Sequence, residues 1–179
     1  MKYLFFVALL LLSLSESAHC SAVPAEMRQI GQGHAYYLNF IKVYTATLYG
    51  DQQVTEQNIL SPGNSKCLHL DYMVDVGRQD FIEAAKTVLA RQHPAQQLDQ
   101  VQVDIDTLHH KYQDVQKGDS YTLCYDNNSQ QTTLALNSRP IITITSPEFA
   151  SVYFGIWLGA QAPLDEELRS DLLAGLSSP

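Results

Sequence analysis

The sequence predicts an α+β fold in which helices pack on one side of a large antiparallel sheet. Apolar and polar side chains alternate over 30–49, over 66–76 and again over 117–145, which is typical of strands. Apolar residues recur at helical spacing over 81–112 and after residue 146. Separate runs of strands and of helices are typical of the α+β class. A chain of 179 residues is expected to form one domain.

The first half of the sheet is expected from residues 30–76. Two strands fill 30–49, with Gly31 and Gly33 as turn or bulge points. A polar connection over 50–65 contains a Pro-Gly turn, and a third strand follows over 66–76. Because side chains alternate along a strand, one face of the second strand is expected to carry Phe40, Lys42, Tyr44, Ala46 and Leu48.

Two helices are expected next. The first has Asp80 in its first turn and Arg91 in its last turn, and each charge favours the helix dipole there. Pro94 stops this helix because proline cannot continue a helix interior. The apolar stripe of the second helix consists of Leu98, Val101, Ile105, Leu108 and Tyr112.

A three-stranded meander and two further helices complete the predicted fold. The meander lies between residues 117 and 145 and turns at 127–129 and at 137–140. Ser146 and Pro147 are typical of a helix start, and Gly159 is a fitting end. The last helix carries Leu164, Leu168, Leu172 and Leu173.

The charge of the chain excludes several partners. The formal net charge is −8, and the 11 Lys and Arg residues do not cluster. Nucleic-acid binders present clustered cations to phosphates, and anionic membranes attract the same clusters. We therefore expect no nucleic-acid partner and no anionic membrane surface. The 45% hydrophobic content indicates a packed core.

Residues 1–22 have the layout of a secretory signal peptide. Lys2 precedes an apolar run over 3–12, and small or polar residues follow up to residue 22. The run is too short to span a bilayer. Cleavage after Cys20 and cleavage after Ala22 both fit, so the mature domain is expected to cover about 23–179. The alternatives are lipidation at Cys20, which His19 disfavours, and a buried N-terminal helix. The mature protein is thus expected to be exported and to lack a transmembrane segment.

Removal of Cys20 with the leader would leave Cys67 and Cys124. Both lie in predicted strands, and each sits on the strand face that carries polar neighbours. A Cys67–Cys124 disulfide is expected if those faces meet across the sheet, since exported proteins form disulfides. Two separately buried thiols are the alternative.

No sequence motif for a cofactor, metal or nucleophile is present. The chain has no Gly-x-Ser-x-Gly elbow, phosphate-binding loop or Cys-x-x-Cys pair. His109 and His110 are adjacent and point about 100° apart on a helix, so they cannot hold one ion together. No cofactor and no metal are therefore expected.

Segments in series resemble the chalcone isomerase-like proteins, in particular their exported bacterial branch. The segments are GQG at 31–33, FIKVYTATLY at 40–49, KGDSY at 117–121, FASVYFGIWLG at 149–159, and a Pro-Leu-Asp and Leu-Arg pair over 163–169. The resemblance covers roughly residues 28–174. It implies an open-faced β-sandwich with a cleft at the junction of sheet and helices. Members of the family include plant isomerases, fatty-acid-binding proteins and proteins of unassigned role.

The residues that the plant isomerases use for catalysis are absent at every matching position. Ungapped counting places Gln32 where those enzymes carry an arginine, and a neutral amide cannot form charge-assisted hydrogen bonds. Their strand threonine falls on Tyr44. Their helix tyrosine and asparagine fall on 80–81 and on 87–88, where neither residue type occurs. The resemblance therefore implies that catalysis by this route is lost.

A binding function is better preserved. In the fatty-acid-binding members an arginine and a tyrosine hold the carboxylate, and Tyr44 resembles that tyrosine. With Gln32 at the arginine position, another cation pairs with the head group, or the head group stays in water, or the ligand is neutral. Lys42 is the best candidate for the substitute cation, because it is expected on the strand face of Tyr44 about 7 Å away. The candidate ligand-binding residues are thus Tyr44, Lys42 and Gln32. The alternative is that Lys42 is a solvated lysine and Tyr44 a core residue.

The leading hypothesis is an exported, non-catalytic protein with a site for a hydrophobic small molecule, a fatty acid being one candidate. A bacterial periplasm is implied by the resemblance and export by the leader. An isomerase for a substrate other than chalcone is the first alternative. An envelope interaction module without a small-molecule site is the second.

Overall fold

Six strands form one antiparallel sheet whose spatial order follows the sequence. The computed structural model describes residues 23–38 and 40–176, so the predicted leader lies outside the described residues. The strands are β1 (Arg28–Tyr37), β2 (Ile41–Gly50), β3 (Lys66–Tyr72), β4 (Ser120–Asp126), β5 (Gln131–Leu136) and β6 (Arg139–Thr145). With four helices on this sheet, the predicted α+β class is confirmed.

The helices are α1 (Arg78–Gln92), α2 (Ala95–Lys111), α3 (Pro147–Leu158) and α4 (Glu166–Leu173), followed by a short 3₁₀ turn at Ala174–Leu176. The side chain of Ser146 accepts a hydrogen bond from the backbone N–H of Phe149 and so caps α3. The carboxylate of Asp165 caps α4 in the same way through Leu168. None of the described helices is long and apolar enough to cross a membrane.

Two predicted boundaries differ from the observed ones. The strand expected over 66–76 ends at Tyr72, and Val76 makes only an isolated bridge to Val115. Leu164 was expected inside the last helix, but α4 begins after the cap at Asp165. Leu164 consequently lies in the loop between α3 and α4, where it is free to line a cleft.

The two faces of the sheet are chemically different. The face toward the helices carries large apolar side chains that form the core, among them Leu48, Leu68, Leu123 and Leu134. The other face carries small or polar side chains such as Thr47, His69 and Thr122. This division follows from the alternation of side chains along each strand.

Helix α4 lies directly against β1, and the glycines of β1 make this approach possible. A Cβ atom at Gly31 would lie 2.2 Å from the backbone oxygen of Asp171. A Cβ atom at Gly33 would lie 2.9 Å from a methyl carbon of Leu168. The absence of side chains at these positions lets the helix backbone touch the strand.

Cys67 and Cys124 are directly opposite each other on β3 and β4 and form a disulfide. The pairing predicted from the two strand faces is therefore confirmed. The bond lies on the face of the sheet that carries the polar side chains, and it joins residues 57 positions apart in the chain.

Lys66 is a fully buried cation at the start of β3. Its ammonium group donates hydrogen bonds to the backbone oxygens of Ser61 and Asn64, at 3.0 and 3.2 Å. It also lies 4.8 Å from the ring centre of Tyr125 and 5.6 Å from that of Phe154. Burial lowers the pKa of Lys66 from 10.5 to about 8. Lys66 thus anchors the loop between β2 and β3 at a cost in desolvation.

We predict that the free energy of unfolding rises between pH 8 and pH 9.5 because of Lys66. In this window the folded protein loses the Lys66 proton and the unfolded chain keeps it, so the unfolded state binds more protons and stability increases. The slope approaches about 1.4 kcal/mol per pH unit. Lys66→Met should flatten this rise in urea titrations, whereas Lys86→Met, at an exposed position on α1, should retain it. A wild-type protein without the rise would contradict the prediction.

Reduction of the Cys67–Cys124 disulfide should destabilise the protein. The chain-entropy model gives about 4 kcal/mol for a loop of this length, and native disulfides typically contribute about 2–5 kcal/mol. The check is a pair of urea unfolding curves with and without reductant, with the thiol count verified by mass spectrometry. Coincident curves for the two redox states would show that the bond contributes nothing.

Candidate ligand-binding site

An inner cavity and an outer cleft adjoin each other between the sheet and α1. The inner cavity has a volume of about 80 Å³. The outer cleft has a volume of about 760 Å³ and opens toward solvent. The two spaces share five lining residues, which are Tyr44, Tyr72, Phe81, Ala84 and Leu164.

Aromatic rings dominate the inner cavity. Tyr44 and Tyr72 meet edge to face at 5.6 Å between ring centres, and Tyr72 meets Phe81 at 5.5 Å. Aliphatic side chains fill most of the remaining wall, and among the described residues no charged side chain lines this cavity. The seven aromatic residues of the wall are Tyr44, Tyr72, Phe81, Tyr112, Tyr121, Tyr153 and Trp157.

Most of the tyrosine hydroxyls are occupied by protein partners. The indole N–H of Trp157 donates to the hydroxyl of Tyr44 at 3.1 Å. The hydroxyls of Tyr112 and Tyr153 lie 2.8 Å apart, and Nε2 of the buried His109 lies 3.1 Å from the hydroxyl of Tyr153. These contacts hold the rings in place between strands and helices.

Of the two remaining tyrosines, Tyr121 has hydrogen-bond partners for its hydroxyl and Tyr72 has none within the described part of the chain. The hydroxyl of Tyr121 accepts from the backbone N–H of Gln113 and donates to its oxygen. Within the described part of the chain, the hydroxyl of Tyr72 has no hydrogen-bond partner, although the residue is only 2% exposed. The hydroxyl oxygen is not among the fully buried polar atoms that lack a partner, so solvent in the cleft reaches it. Tyr72 therefore presents a hydroxyl that a bound molecule can contact.

The titratable groups around the cavity are uncharged near neutral pH. Burial raises the pKa values of Tyr44, Tyr72, Tyr112 and Tyr153 above the ordinary value for a phenol. Burial, with a smaller contribution from Lys86, lowers the pKa of His109 to about 4. The cavity is thus a neutral, weakly polar environment and offers neither a phenolate nor an imidazolium.

The outer cleft carries the charged groups. Its apolar wall includes Tyr36, Ile41 and Val43 from the hairpin of β1 and β2, and its opposite wall is α1. Four carboxylates and one guanidinium line it, and these belong to Asp75, Asp80, Glu83, Asp165 and Arg91.

Arg91 is not marked as a site residue by the sequence, because a basic residue in the last turn of a helix is explained by the helix dipole. In the structure, Nε of Arg91 donates to the backbone oxygen of Ala162 at 2.9 Å, and Nη2 donates to that of Pro163. These bonds join α1 to the loop that precedes α4. Proximity to that loop depends on tertiary packing, so no local pattern could have revealed it.

Of the three predicted binding residues, only Tyr44 lines the cleft and cavity. Gln32 lies on the opposite face of the sheet, where its amide donates to the hydroxyl of Thr47 at 2.9 Å. The β1 residue opposite Tyr44 in the register is Ala35, which also lines the cleft and carries no polar group.

The prediction that Lys42 shares a face with Tyr44 is wrong. The register shifts between Ala35 and Tyr36, so that Val43 has no partner on β1 and the strand bulges there. The ammonium group of Lys42 consequently lies 3.5 Å from the ring of His34, on the other face of the sheet. Val43 turns toward the cleft in its place.

The helix positions matched to the catalytic tyrosine and asparagine do reach the cleft. Asp80, Phe81, Thr87 and Val88 all line it. None of these four residues is a tyrosine or an asparagine. Among the described residues, no group of three or more histidine, cysteine or acidic side chains could hold a metal ion.

Comparisons with known proteins agree with this geometry. The fold is similar to the crystal structure of a fatty-acid binding protein from Arabidopsis thaliana, with a TM-score of 0.65 over 86% of this chain and 90% of that chain. The sequence identity is 14%, so this likeness concerns the fold. Comparison with curated proteins finds no match. The family model described as chalcone isomerase-like matches residues 30–174, and the chain therefore belongs to the chalcone isomerase-like family.

Proposed function

We propose that this protein is an exported, non-catalytic binding protein for a hydrophobic small molecule. The observation that carries the proposal is the neutral aromatic cavity beside an open cleft of about 760 Å³. Ligand sites in proteins are typically clefts of about 300–1,000 Å³ with mostly apolar walls. The volume of this cleft is within that range.

The neutral state of the cavity argues against catalysis. Proton transfer near pH 7 needs a group whose pKa is near the operating pH. Tyr44 occupies the position of the enzymes' strand threonine, but burial raises its pKa and its hydroxyl already accepts from Trp157. Gln32 and Lys42 lie on the other face of the sheet. Binding without transformation is the activity that these side chains support.

The apolar walls suit an alkyl or acyl chain. Each methylene buried from water contributes about 0.8 kcal/mol, so eight methylenes contribute about 6 kcal/mol before the entropic cost of binding. A fatty acid is one ligand of this kind. The Arabidopsis protein of similar fold is named a fatty-acid binding protein, so a fatty acid is one of the ligands with which binding should be tested.

Export is part of the proposal. The leader pattern over 1–22 supports it, and the Cys67–Cys124 disulfide is typical of an oxidising compartment. A bacterial periplasm is the compartment that the exported branch of the family suggests. Fractionation of native cells, with the mass of the mature chain, tests this part. A cytosolic chain that retains residues 1–22 would contradict it.

The cleft volume also bears on the alternative of an interaction module. Such a module predicts a cleft plugged by its own side chains, whereas about 760 Å³ is open here. An enzyme for another substrate predicts turnover that falls when Tyr44→Phe removes the hydroxyl. Native mass spectrometry of the protein purified from its own compartment would reveal a bound guest directly.

The binding proposal predicts that Ala84→Phe blocks the site. Ala84 is an exposed residue of α1 that lines both the cleft and the cavity, so a benzyl group there fills space without disturbing the core. Affinity for decan-1-ol should fall at least tenfold, which is about 1.4 kcal/mol. The only tryptophan, Trp157, lines the cavity and reports occupancy through its fluorescence.

Ala90→Phe is the matched control for this experiment. Ala90 is exposed on the same helix and does not line the cleft or the cavity, so this variant should bind decan-1-ol like the wild type. Equal affinity of the Ala84→Phe variant, or no saturable binding by the wild type, would refute the proposal.

A further inference from the structure

We propose that the site selects an amphiphile with a cationic head group, such as a protonated long-chain amine, over an anionic one of equal chain length. This inference rests on the proposed binding function and specifies the ligand class. It places the alkyl chain against the aromatic cavity and the head group among the carboxylates of the outer cleft. Three observations carry it.

The first observation is the charge of the outer cleft. Asp75, Asp80, Glu83 and Asp165 line it together with a single cation, Arg91, which leaves an excess of three negative charges. Fields inside a cleft with low-dielectric walls concentrate ligands of opposite charge. The whole chain, at −8, adds to this effect.

The second observation is that none of these carboxylates is neutralised by a partner. The described residues contain two salt bridges, His69–Asp71 and Arg169–Glu56, and neither involves the cleft. Asp75, Asp80 and Asp165 each accept one backbone N–H, from Lys117, Gly77 and Leu168. These bonds hold the carboxylates in place and leave their charge available.

Arg91 does not cancel the negative charge of the outer cleft. Two of its guanidinium nitrogens donate to the backbone oxygens of Ala162 and Pro163, so the group is committed to the loop before α4. A fatty carboxylate at the cleft would gain at most the remaining donors of this one cation. It would also face the four carboxylates, and like charges in a partly desolvated cleft repel.

The third observation is a hydroxyl group without a protein partner at the junction of the inner cavity and the outer cleft. Tyr72 lines both the cavity and the cleft, and its hydroxyl has no hydrogen-bond partner in the described part of the chain. Its oxygen is not among the fully buried atoms without a partner, so a ligand in the cleft can reach it. A phenolic oxygen accepts hydrogen bonds from N–H donors. The aromatic faces around it attract cations further.

The electrostatics at Tyr44 agree with this geometry. Burial is the main reason why the pKa of Tyr44 is raised, and the negative charge of Asp165 raises it further. Asp165 therefore places a negative charge close enough to affect the inner end of the cleft.

The test compares three probes of equal chain length, namely decylamine, decan-1-ol and decanoate, at pH 7 and about 20 mM salt, where surface charges are weakly screened. Binding is followed by Trp157 fluorescence and by calorimetry. Decylamine should bind at least tenfold more tightly than decanoate and more tightly than decan-1-ol. Its advantage should shrink at about 500 mM salt because the Debye length falls.

Asp165→Asn should reduce the ratio of decylamine to decanoate affinity at least threefold. Asparagine is as good a helix cap as aspartate, so α4 should stay folded while the charge is lost. Asp99→Asn removes an equal charge from an exposed position on α2 that does not line the cleft, and it should leave the ratio unchanged.

The outcomes separate the two proposals. Binding of none of the three probes would refute the proposed binding function itself. Tighter or equal binding of decanoate, or equal binding of decan-1-ol and decylamine, would overturn the cationic selectivity and leave the binding function intact. An unchanged ratio in the Asp165→Asn variant would also overturn the selectivity as argued here.

Discussion

The alternation of side chains along six antiparallel strands is the constraint on which the rest of the structure depends. Because successive residues point to opposite faces, the sheet can present large apolar side chains to the helices and small polar ones to its other side. Leu48, Leu68 and Leu123 lie in the core, while Thr47, Thr122 and the disulfide lie on the other face. The aromatic cavity lies where the helix-facing row meets α1.

The same constraint explains which predictions from sequence succeeded. Strand faces are a local property, so the assignment of Cys67 and Cys124 to similar strand faces made their pairing possible. The pairing of β3 with β4 then places them opposite each other. The cap at Ser146 is also local, since it needs only a side-chain oxygen three residues before an N–H. The class of the fold follows from these local signals and from the order of the elements.

The features that sequence reasoning missed are those that break the alternation or depend on tertiary packing. One unpaired residue, Val43, moves Lys42 from the face of Tyr44 to that of His34. The sequence around Val43 does not mark the bulge, because neither glycine nor proline occurs within 41–49. The contact of Arg91 with the loop before α4 spans 71 positions and has no local signature. The polar chain of His109, Tyr153 and Tyr112 likewise joins separate helices.

The bulge also determines what kind of site this sheet can offer. Had the alternation continued, the Lys42 ammonium would have faced the space beside Tyr44, and a carboxylate there would have had a counter-ion. With Val43 in its place and Ala35 opposite Tyr44, that wall of the cleft is apolar. Desolvation then keeps the tyrosines protonated, because no cation stabilises a phenolate. The same absence leaves Arg91, among the described residues, as the one cation beside the four carboxylates that line the outer cleft, so a single extra residue in one strand affects the charge that a ligand would meet there.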